Sequence, residues 1–251
     1  MESLFTSIII GYFLYEVVRS LKSVFFAVSE KIKERRKNTG IPFTDNEIQE
    51  AFENKIFGDF KLSNAVVFFK NQNVVPKEGF RIFTNDETAE SGIKQVLISV
   101  SAEKIFDIFD ELLKTLGDTF HFVVDDFRSE NGEYSGNYGY NKDAFIVRSL
   151  LIDYEDLVVN NGFVAFAAFN PELQTEVHLL REKVISVVTK DIYRFVSVLI
   201  DNEIDEKSDL GFVWDGNYLL FSQQAEEELF DPLISALNVD EVIVFPENKE
   251  K

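Results

Sequence analysis

Three side chains that can ligate metals lie close together in the segment HFVVDD, residues 121–126. His121 and Asp125 are four residues apart, so on a β-strand they share one face, whereas Asp126 points to the other. Carboxylates at the carboxyl end of a parallel strand often bind divalent metals in open sheets. The pattern therefore predicts a candidate metal site of Asp125, Asp126 and His121. The alternative is an acidic pair that begins a solvated loop, in a chain with 44 acidic residues.

A second candidate is the segment 128–142, RSENGEYSGNYGYNK, which combines three glycines with Tyr134, Tyr138 and Tyr140. Flexible backbone with rigid aromatic anchors is typical of binding loops, so we predict a loop here that contacts a partner or closes over a ligand. Neither GxxxxGK[ST] nor GxGxxG is present, so the glycines do not fit a phosphate-binding loop. The alternative interpretation is a mobile connection without function.

Two acid-rich segments, EIDEKSD at 203–209 and AEEELFD at 225–231, provide candidate contacts for a basic partner. Dense negative charge raises the rate of association with basic proteins. The same charge also serves solubility alone, which is the alternative. The acidic residues predicted to bind a partner are Asp205, Glu206, Glu226, Glu227 and Glu228.

No motif in the sequence indicates catalysis. The chain has no cysteine, which excludes disulfides, cysteine-based zinc sites and thiol catalysis. Its second histidine, His178, is isolated in an alternating strand pattern, and GxSxG is absent. We therefore predict no cofactor and favour a non-enzymatic protein over an enzyme.

The charge of the chain is unevenly distributed. The net charge is −19, yet residues 1–40 carry seven bases and four acids, a net +3. The remaining 18 bases and 40 acids give residues 41–251 a net −22. Gly40 and Pro42 mark the boundary, since both interrupt helices. The charge predicts a basic arm followed by an acidic body, and it argues against nucleic acid as a partner of the body because phosphates would be repelled.

The arm, residues 1–40, has the pattern of one long amphipathic helix, without glycine or proline from position 12 to 38. Three hypotheses compete: a helix that packs on the body or on its own copy as a short coiled coil, a helix that lies on an anionic membrane, and a transmembrane span. The apolar stripe is Leu14, Val17, Leu21, Val24, Phe25 and Val28, and the basic end includes Lys31, Lys33, Arg35 and Arg36.

Two stretches of the body, 97–124 and 218–245, align without gaps at an offset of 121 residues, with six identities. Each predicts a strand, an amphipathic helix that stops at a left-handed residue (Gly117 or Asn238), and a second strand. This length suits a right-handed parallel crossover, and Pro232 should kink or split the second helix. The similarity favours an internal duplication, whereas any two strand–helix–strand units share some resemblance.

These patterns predict an α/β or α+β fold with mixed sheets, made of a first half at 41–162 and a second half at 163–251. The continuous apolar run FVAFAAF at 163–169 predicts a strand that is buried on both faces. The pair Asp215-Gly216 lies between two apolar runs and predicts a two-residue hairpin turn.

The sequence favours a non-enzymatic interaction or assembly protein, such as an immunity-type inhibitor or a scaffold. The expected partners are a basic protein and a second copy of the chain, with an anionic membrane surface as a further candidate for the arm. We expect a cytoplasmic protein, peripheral on the membrane if the arm binds lipid. The alternatives are a divalent-metal enzyme that uses Asp125 and Asp126, and a small-molecule-binding domain with 128–142 as its lid.

Overall fold

A computed structural model describes residues 45–69, 74–84, 92–129 and 133–245. The predicted arm helix at 1–40 lies outside these residues. The described residues, which begin at Asp45, form one compact unit. Among the residues described, no helix has the length and apolarity needed to cross a bilayer.

The fold is mixed α and β, as predicted, and it is built on one eight-stranded sheet. Before the strands of the large sheet come α1 (Asp45–Glu53), β1 (Ile56–Phe57), β2 (Phe60–Lys61) and β3 (Val66–Phe68). The middle of the chain forms β4 (Gly79–Thr84), β5 (Lys94–Ser99), α2 (Ile105–Lys114), β6 (Thr119–Asp126), β7 (Tyr134–Asp143), α3 (Ala144–Asp153) and α4 (Glu155–Asn160). The rest forms β8 (Val164–Asn170), β9 (Thr175–Leu179), β10 (Ile185–Thr189), α5 (Ile192–Asp201), β11 (Tyr218–Leu220), α6 (Gln224–Glu228), α7 (Phe230–Leu237) and β12 (Glu241–Phe245).

The strands of the large sheet follow the order β12-β7-β6-β8-β9-β10-β5-β4. Every neighbouring pair is antiparallel, so the prediction of a mixed sheet is wrong for this sheet. Five helices, α2, α3, α4, α5 and α7, pack their apolar stripes on one face of this sheet. In α2, for example, Ile105, Ile108 and Leu112 recur at helical spacing and are fully buried. The main core therefore lies between one sheet face and the helices, while a smaller buried cluster that includes Leu97, Leu210 and Phe212 covers part of the opposite face.

The two aligned stretches are not equivalent in the structure. In the first, β5 and β6 run in the same direction on either side of α2, but β8, β9 and β10 lie between them. In the second, β11 pairs with β3 in a separate two-stranded sheet, and β12 is an edge strand of the large sheet. This difference removes the support for an internal duplication. The predicted halves 41–162 and 163–251 meet within one sheet, where β6 pairs with β8.

Local signals in the second stretch have mixed outcomes. The helix is split, as Pro232 predicted: α6 ends at Glu228 and α7 begins at Phe230, with the proline in its first turn. The predicted stop at Asn238 is confirmed, with a φ of +48°. The predicted hairpin at Asp215-Gly216 is wrong, because Val213–Asp215 form a 3₁₀ turn and Tyr218–Leu220 pair with β3.

The largest correction concerns the segment 128–142, which is mostly strand rather than loop. Tyr134–Asp143 form β7, between β6 and β12. Glycine within a strand usually weakens it, but here two aromatic rings lie over the glycines. A Cβ on Gly139 would lie 2.3 Å from Cε1 of Phe122, and one on Gly136 would lie 2.7 Å from Cε2 of Tyr138. The glycines therefore serve close packing of rings against the strand, as in aromatic rescue of glycine in sheets.

The two edges of the sheet differ. At one edge, the N–H of Phe80 in β4 donates to the carbonyl of Asp205 (3.0 Å), and the N–H of Lys207 donates to the carbonyl of Phe80 (2.9 Å). The segment 205–207 therefore covers the outer backbone of β4 with hydrogen bonds at Phe80. At the other edge, no described residue pairs with the outer side of β12.

Candidate functional site

The three predicted tyrosines lie on the sheet face that is opposite the helices. Val123 and Asp125 of β6 pair with Tyr138 and Gly136 of β7, whereas Val124 belongs to the helix-side core. Because side chains alternate along a strand, Tyr138 and Tyr134 share the face of Asp125. Tyr138 and Tyr140 stack at 6.3 Å between ring centroids. The three tyrosines of the predicted binding loop thus lie on one face, but a strand positions them rather than a loop.

Aromatic rings from three further strands, or from the end of one, join these tyrosines. Phe127 stacks on Tyr134 at 5.0 Å, and Tyr134 stacks on Phe245 of β12 at 4.7 Å. His121 lies between Tyr140 (5.7 Å) and Phe169 of β8 (6.5 Å). We call this surface the tyrosine face, and it consists of His121, Asp125, Phe127, Tyr134, Tyr138, Tyr140, Phe169, Glu241 and Phe245.

A β-bulge sets the position of His121. Phe120 pairs with Lys142 and Phe122 pairs with Gly139, so two residues of β7 oppose His121. One of them, Asn141, has a φ of +48° and donates its backbone N–H to Nδ1 of His121 at 3.1 Å. The accepting Nδ1 belongs to a neutral imidazole with its proton on Nε2. Burial lowers the pKa of His121, which favours the same neutral form.

Carboxylates border the tyrosine rings. The hydroxyl of Tyr140 donates to Oε2 of Glu241 at 2.7 Å, and its backbone N–H donates to Oδ2 of Asp240 at 2.7 Å. Burial and the hydrogen bond to Glu241 raise the pKa of Tyr140 to about 12. Burial, followed by the negative charge of Asp125, raises the pKa values of Tyr134 and Tyr138. All three phenols therefore stay protonated at neutral pH and keep their hydrogen-bond donors.

The predicted metal ligands are not brought together. Asp126 binds Arg128, whose Nε and Nη2 donate to its two oxygens at 2.9 and 2.8 Å. His121 and Asp125 share a face, but four residues of strand separate them by about 13 Å. The strand is also antiparallel to both neighbours, so the parallel-strand edge that motivated the prediction is absent here. Among the described residues, no three histidines, aspartates or glutamates are grouped to hold a metal.

The predicted acidic contacts lie in separate places. Glu226 is buried, and its carboxylate accepts the backbone N–H of Gln223 in a capping box that begins α6. Glu227 and Glu228 are exposed on the same short helix. Asp205 and Glu206 are exposed where their segment covers β4, at the far edge of the sheet from β7. None of these five residues belongs to the tyrosine face.

A cavity of about 390 Å³ lies elsewhere, with a lining of mainly polar residues from β2, the turn after it, the 3₁₀ turn Ala102–Lys104, and α4. No residue of 128–142 lines it, so the tyrosines are not its lid. Its polar lining includes Lys61, Ser63, Asn64, Glu103, Glu155, Asp156 and Asn160.

Sequence reasoning missed Phe127, Phe169, Phe245 and Glu241 as members of the site. The spacing of Tyr134, Tyr138 and Tyr140 at even intervals was a strand signal that the intervening glycines obscured. The contributions of β8 and β12 depend on strand pairing between residues that are distant in the chain, which local patterns do not reveal.

The chain has no significant match among protein-family models, curated proteins or solved structures. The geometry and charge of the tyrosine face are therefore the basis for its proposed function.

Proposed function

We propose that this chain is a non-enzymatic interaction protein that binds a basic protein partner on the tyrosine face, with the cytoplasm as its expected compartment. The observation that carries the proposal is the arrangement of partly exposed aromatic rings beside carboxylates on the sheet face opposite the helices. An inhibitor of a basic protein and an assembly scaffold would both use such a surface.

The chemistry of this face suits lysine and arginine side chains. Tyrosine rings attract cations through their negative π faces, with a gain of about 0.5–1 kcal/mol at exposed positions. Asp125 and Glu241 add charged acceptors next to the rings of Tyr138 and Tyr140. The chain already makes one such contact itself, since the Cζ of Arg181 lies 4.0 Å from the ring centroid of Phe127.

The charge of the body supports a basic partner as well. Residues 41–251 carry a net −22, which attracts cations over a distance of about one Debye length. Such attraction raises association rates and falls with added salt. The partner should therefore bind more slowly and more weakly as ionic strength rises.

Binding of a fluorescein-labelled lysine- and arginine-rich peptide, followed by fluorescence anisotropy, tests this proposal. We expect Tyr140→Ala to weaken binding by about fivefold, which corresponds to about 1 kcal/mol. Tyr193→Ala is the matched control, because this tyrosine is 80% exposed but lies on α5, on the helix side of the sheet. Equal effects of the two substitutions, or binding that does not respond to salt between 50 and 300 mM, would refute the proposal.

Attachment through the arm remains a prediction from its charge and apolar stripe, since residues 1–40 lie outside the described part of the chain. A variant of the full chain in which glutamine replaces Lys31, Lys33, Arg35 and Arg36 distinguishes attachment to lipid from self-association. Loss of sedimentation with anionic vesicles would support lipid binding, and unchanged sedimentation would argue against it. A change in oligomeric state without vesicles would instead support self-association.

A further inference from the structure

The cavity beside β2 has the size of a small-molecule site. Its volume of about 390 Å³ lies at the small end of the range of about 300–1,000 Å³ that is typical of such sites. Three segments supply its walls: the end of β2 with the turn after it, the 3₁₀ turn Ala102–Lys104, and α4. A ligand about as large as an amino acid would fill this volume.

Hydrogen bonds join the walls of the cavity. The backbone N–H of Lys61 donates to Oγ of Ser101 at 2.7 Å, directly before the 3₁₀ turn. The backbone N–H of Asn64 donates to Oδ1 of Asn160 at 3.2 Å, and Nδ2 of Asn160 donates to Oδ1 of Asp156 at 2.9 Å. The fold therefore fixes the positions of the walls relative to one another.

Several polar groups of the lining are left available by the protein. No residue in the described part of the chain pairs with the charged groups of Lys61, Glu103 or Glu155. Ser63 is only 3% exposed, and its Oγ accepts the N–H of Ala65 at 3.0 Å, but its hydroxyl donates to no described residue. A buried donor without an acceptor is costly, and an acceptor on a ligand in the cavity would satisfy it.

The charges of the lining define the chemistry of a matching ligand. The carboxylates of Glu103, Glu155 and Asp156 and the ammonium of Lys61 together carry a net charge of −2. Two buried apolar side chains, Leu62 and Val159, also line the cavity. A complementary ligand carries two positive groups and one negative group on an aliphatic chain.

We propose that this cavity binds a free α-amino acid with a cationic side chain, such as arginine. The carboxylate of the amino acid accepts hydrogen bonds from Lys61 and Ser63, and its ammonium and guanidinium groups pair with the three carboxylates of the lining. Its methylenes lie against the apolar side chains. The site is independent of the tyrosine face, because no residue of that face lines the cavity.

Isothermal titration calorimetry of the full chain with L-arginine and two analogues tests this assignment. L-citrulline keeps the shape of arginine without the side-chain charge, and agmatine is arginine without the carboxylate. We expect L-arginine to bind and each analogue to bind about tenfold more weakly, because each leaves charged groups of the lining without their partner. No binding heat at about 5 mM L-arginine, or equal affinity for either analogue, would overturn the proposal.

Two substitutions distinguish the two kinds of contact. Lys61→Met should weaken binding of L-arginine about tenfold but leave agmatine unchanged, because agmatine has no carboxylate to pair with Lys61. Glu155→Gln should weaken binding of both ligands. An equal loss for both ligands in Lys61→Met, or no loss in Glu155→Gln, would overturn the proposal.

Matched controls identify the cavity as the place of binding. Lys190→Met and Glu172→Gln remove the same charges at exposed positions that do not line the cavity, and they should leave the affinity for L-arginine unchanged. Tyr140→Ala should also leave it unchanged, although it weakens binding of the basic peptide to the tyrosine face. A loss of L-arginine binding in Tyr140→Ala would place this ligand on the tyrosine face and overturn the proposal.

Discussion

The ring of Phe122 lies across the backbone of Gly139, its directly paired neighbour on the adjacent strand. The contact lets β7 remain in the sheet although it contains two glycines. It connects a feature that resembles a loop in the sequence with a well-packed strand in the structure.

This contact predicts that Gly139→Ala destabilises the protein, although alanine has less backbone freedom than glycine. The added Cβ would lie 2.3 Å from Cε1 of the Phe122 ring, so the ring or the strand must shift. Overpacking of this kind costs about 1–3 kcal/mol in the free energy of unfolding, which urea denaturation measures. In a Phe122→Ala background the same substitution should cost clearly less, because the clash is gone. Equal costs in both backgrounds would contradict this account.

The bulge at Asn141 predicts a difference between two substitutions there. The residue has a φ of +48°, which glycine and asparagine tolerate better than β-branched residues. Asn141→Gly should change the free energy of unfolding little, whereas Asn141→Val should lower it by about 1–2 kcal/mol. Both variants keep the backbone N–H that donates to His121, so the comparison isolates the backbone conformation. Similar stabilities of the two variants would show that the positive φ is not required.

We predict that Arg128 stabilises the protein and that lysine at this position does not restore the lost stability. Its guanidinium makes two hydrogen bonds to Asp126, and its Cζ lies 3.9 Å from the ring centroid of Phe230. Arg128→Met should lower the free energy of unfolding by about 1–2 kcal/mol in urea denaturation. Arg128→Lys should recover less than half of this loss, because an ammonium cannot make the paired contact.

A substitution of Asp231 is the matched control for the Arg128 variants. Oδ1 of Asp231 lies 3.6 Å from Nη2 of Arg128, but the side chain of Asp231 is largely exposed. Asp231→Asn should leave stability unchanged, as is usual for exposed ion pairs. A full rescue by lysine, or an equal loss in Asp231→Asn, would contradict the assigned role of the Asp126 pair.

Lys183 predicts how stability depends on pH. Its ammonium is buried and donates to the carbonyl of Val158 at 2.9 Å, and burial lowers its pKa to about 7 from 10.5. Between these two pH values the unfolded chain holds the proton and the folded protein does not. The unfolded state therefore binds more protons, so the free energy of unfolding rises with pH in this window.

The comparison with Lys183→Met isolates this group. From pH 7 to 9 the wild-type protein should gain about 2 kcal/mol in the free energy of unfolding relative to the variant. Urea denaturation of both proteins across this range measures the difference. Parallel pH profiles would show that Lys183 does not titrate as its burial implies.

Elements with strong local periodicity were predictable from the sequence. The strand at 163–169 corresponds to β8 at Val164–Asn170, and the amphipathic pattern after Ser101 corresponds to α2. The split before α7 follows from Pro232 alone, since proline constrains the helix in which it lies. These signals are local, so no knowledge of distant contacts was needed.

The wrong predictions concern elements that depend on contacts between residues distant in the chain. Tyr218–Leu220 pair with Val66–Phe68, about 150 residues earlier in the chain, and this pairing overrides the turn signal of Asp215-Gly216. The glycines of β7 indicated a loop until the ring of Phe122 was known to lie over one of them. The tyrosines of the candidate site were found from composition, but their neighbours Phe169 and Phe245 come from other strands and needed the sheet order.

The cover that Asp205 and Lys207 place over β4 also limits how large an assembly of these sheets can grow. A sheet with two open edges can add copies without end and form a fibre. Here the β4 edge is already hydrogen-bonded to its own chain at Phe80, so another strand cannot pair with β4 along its whole length.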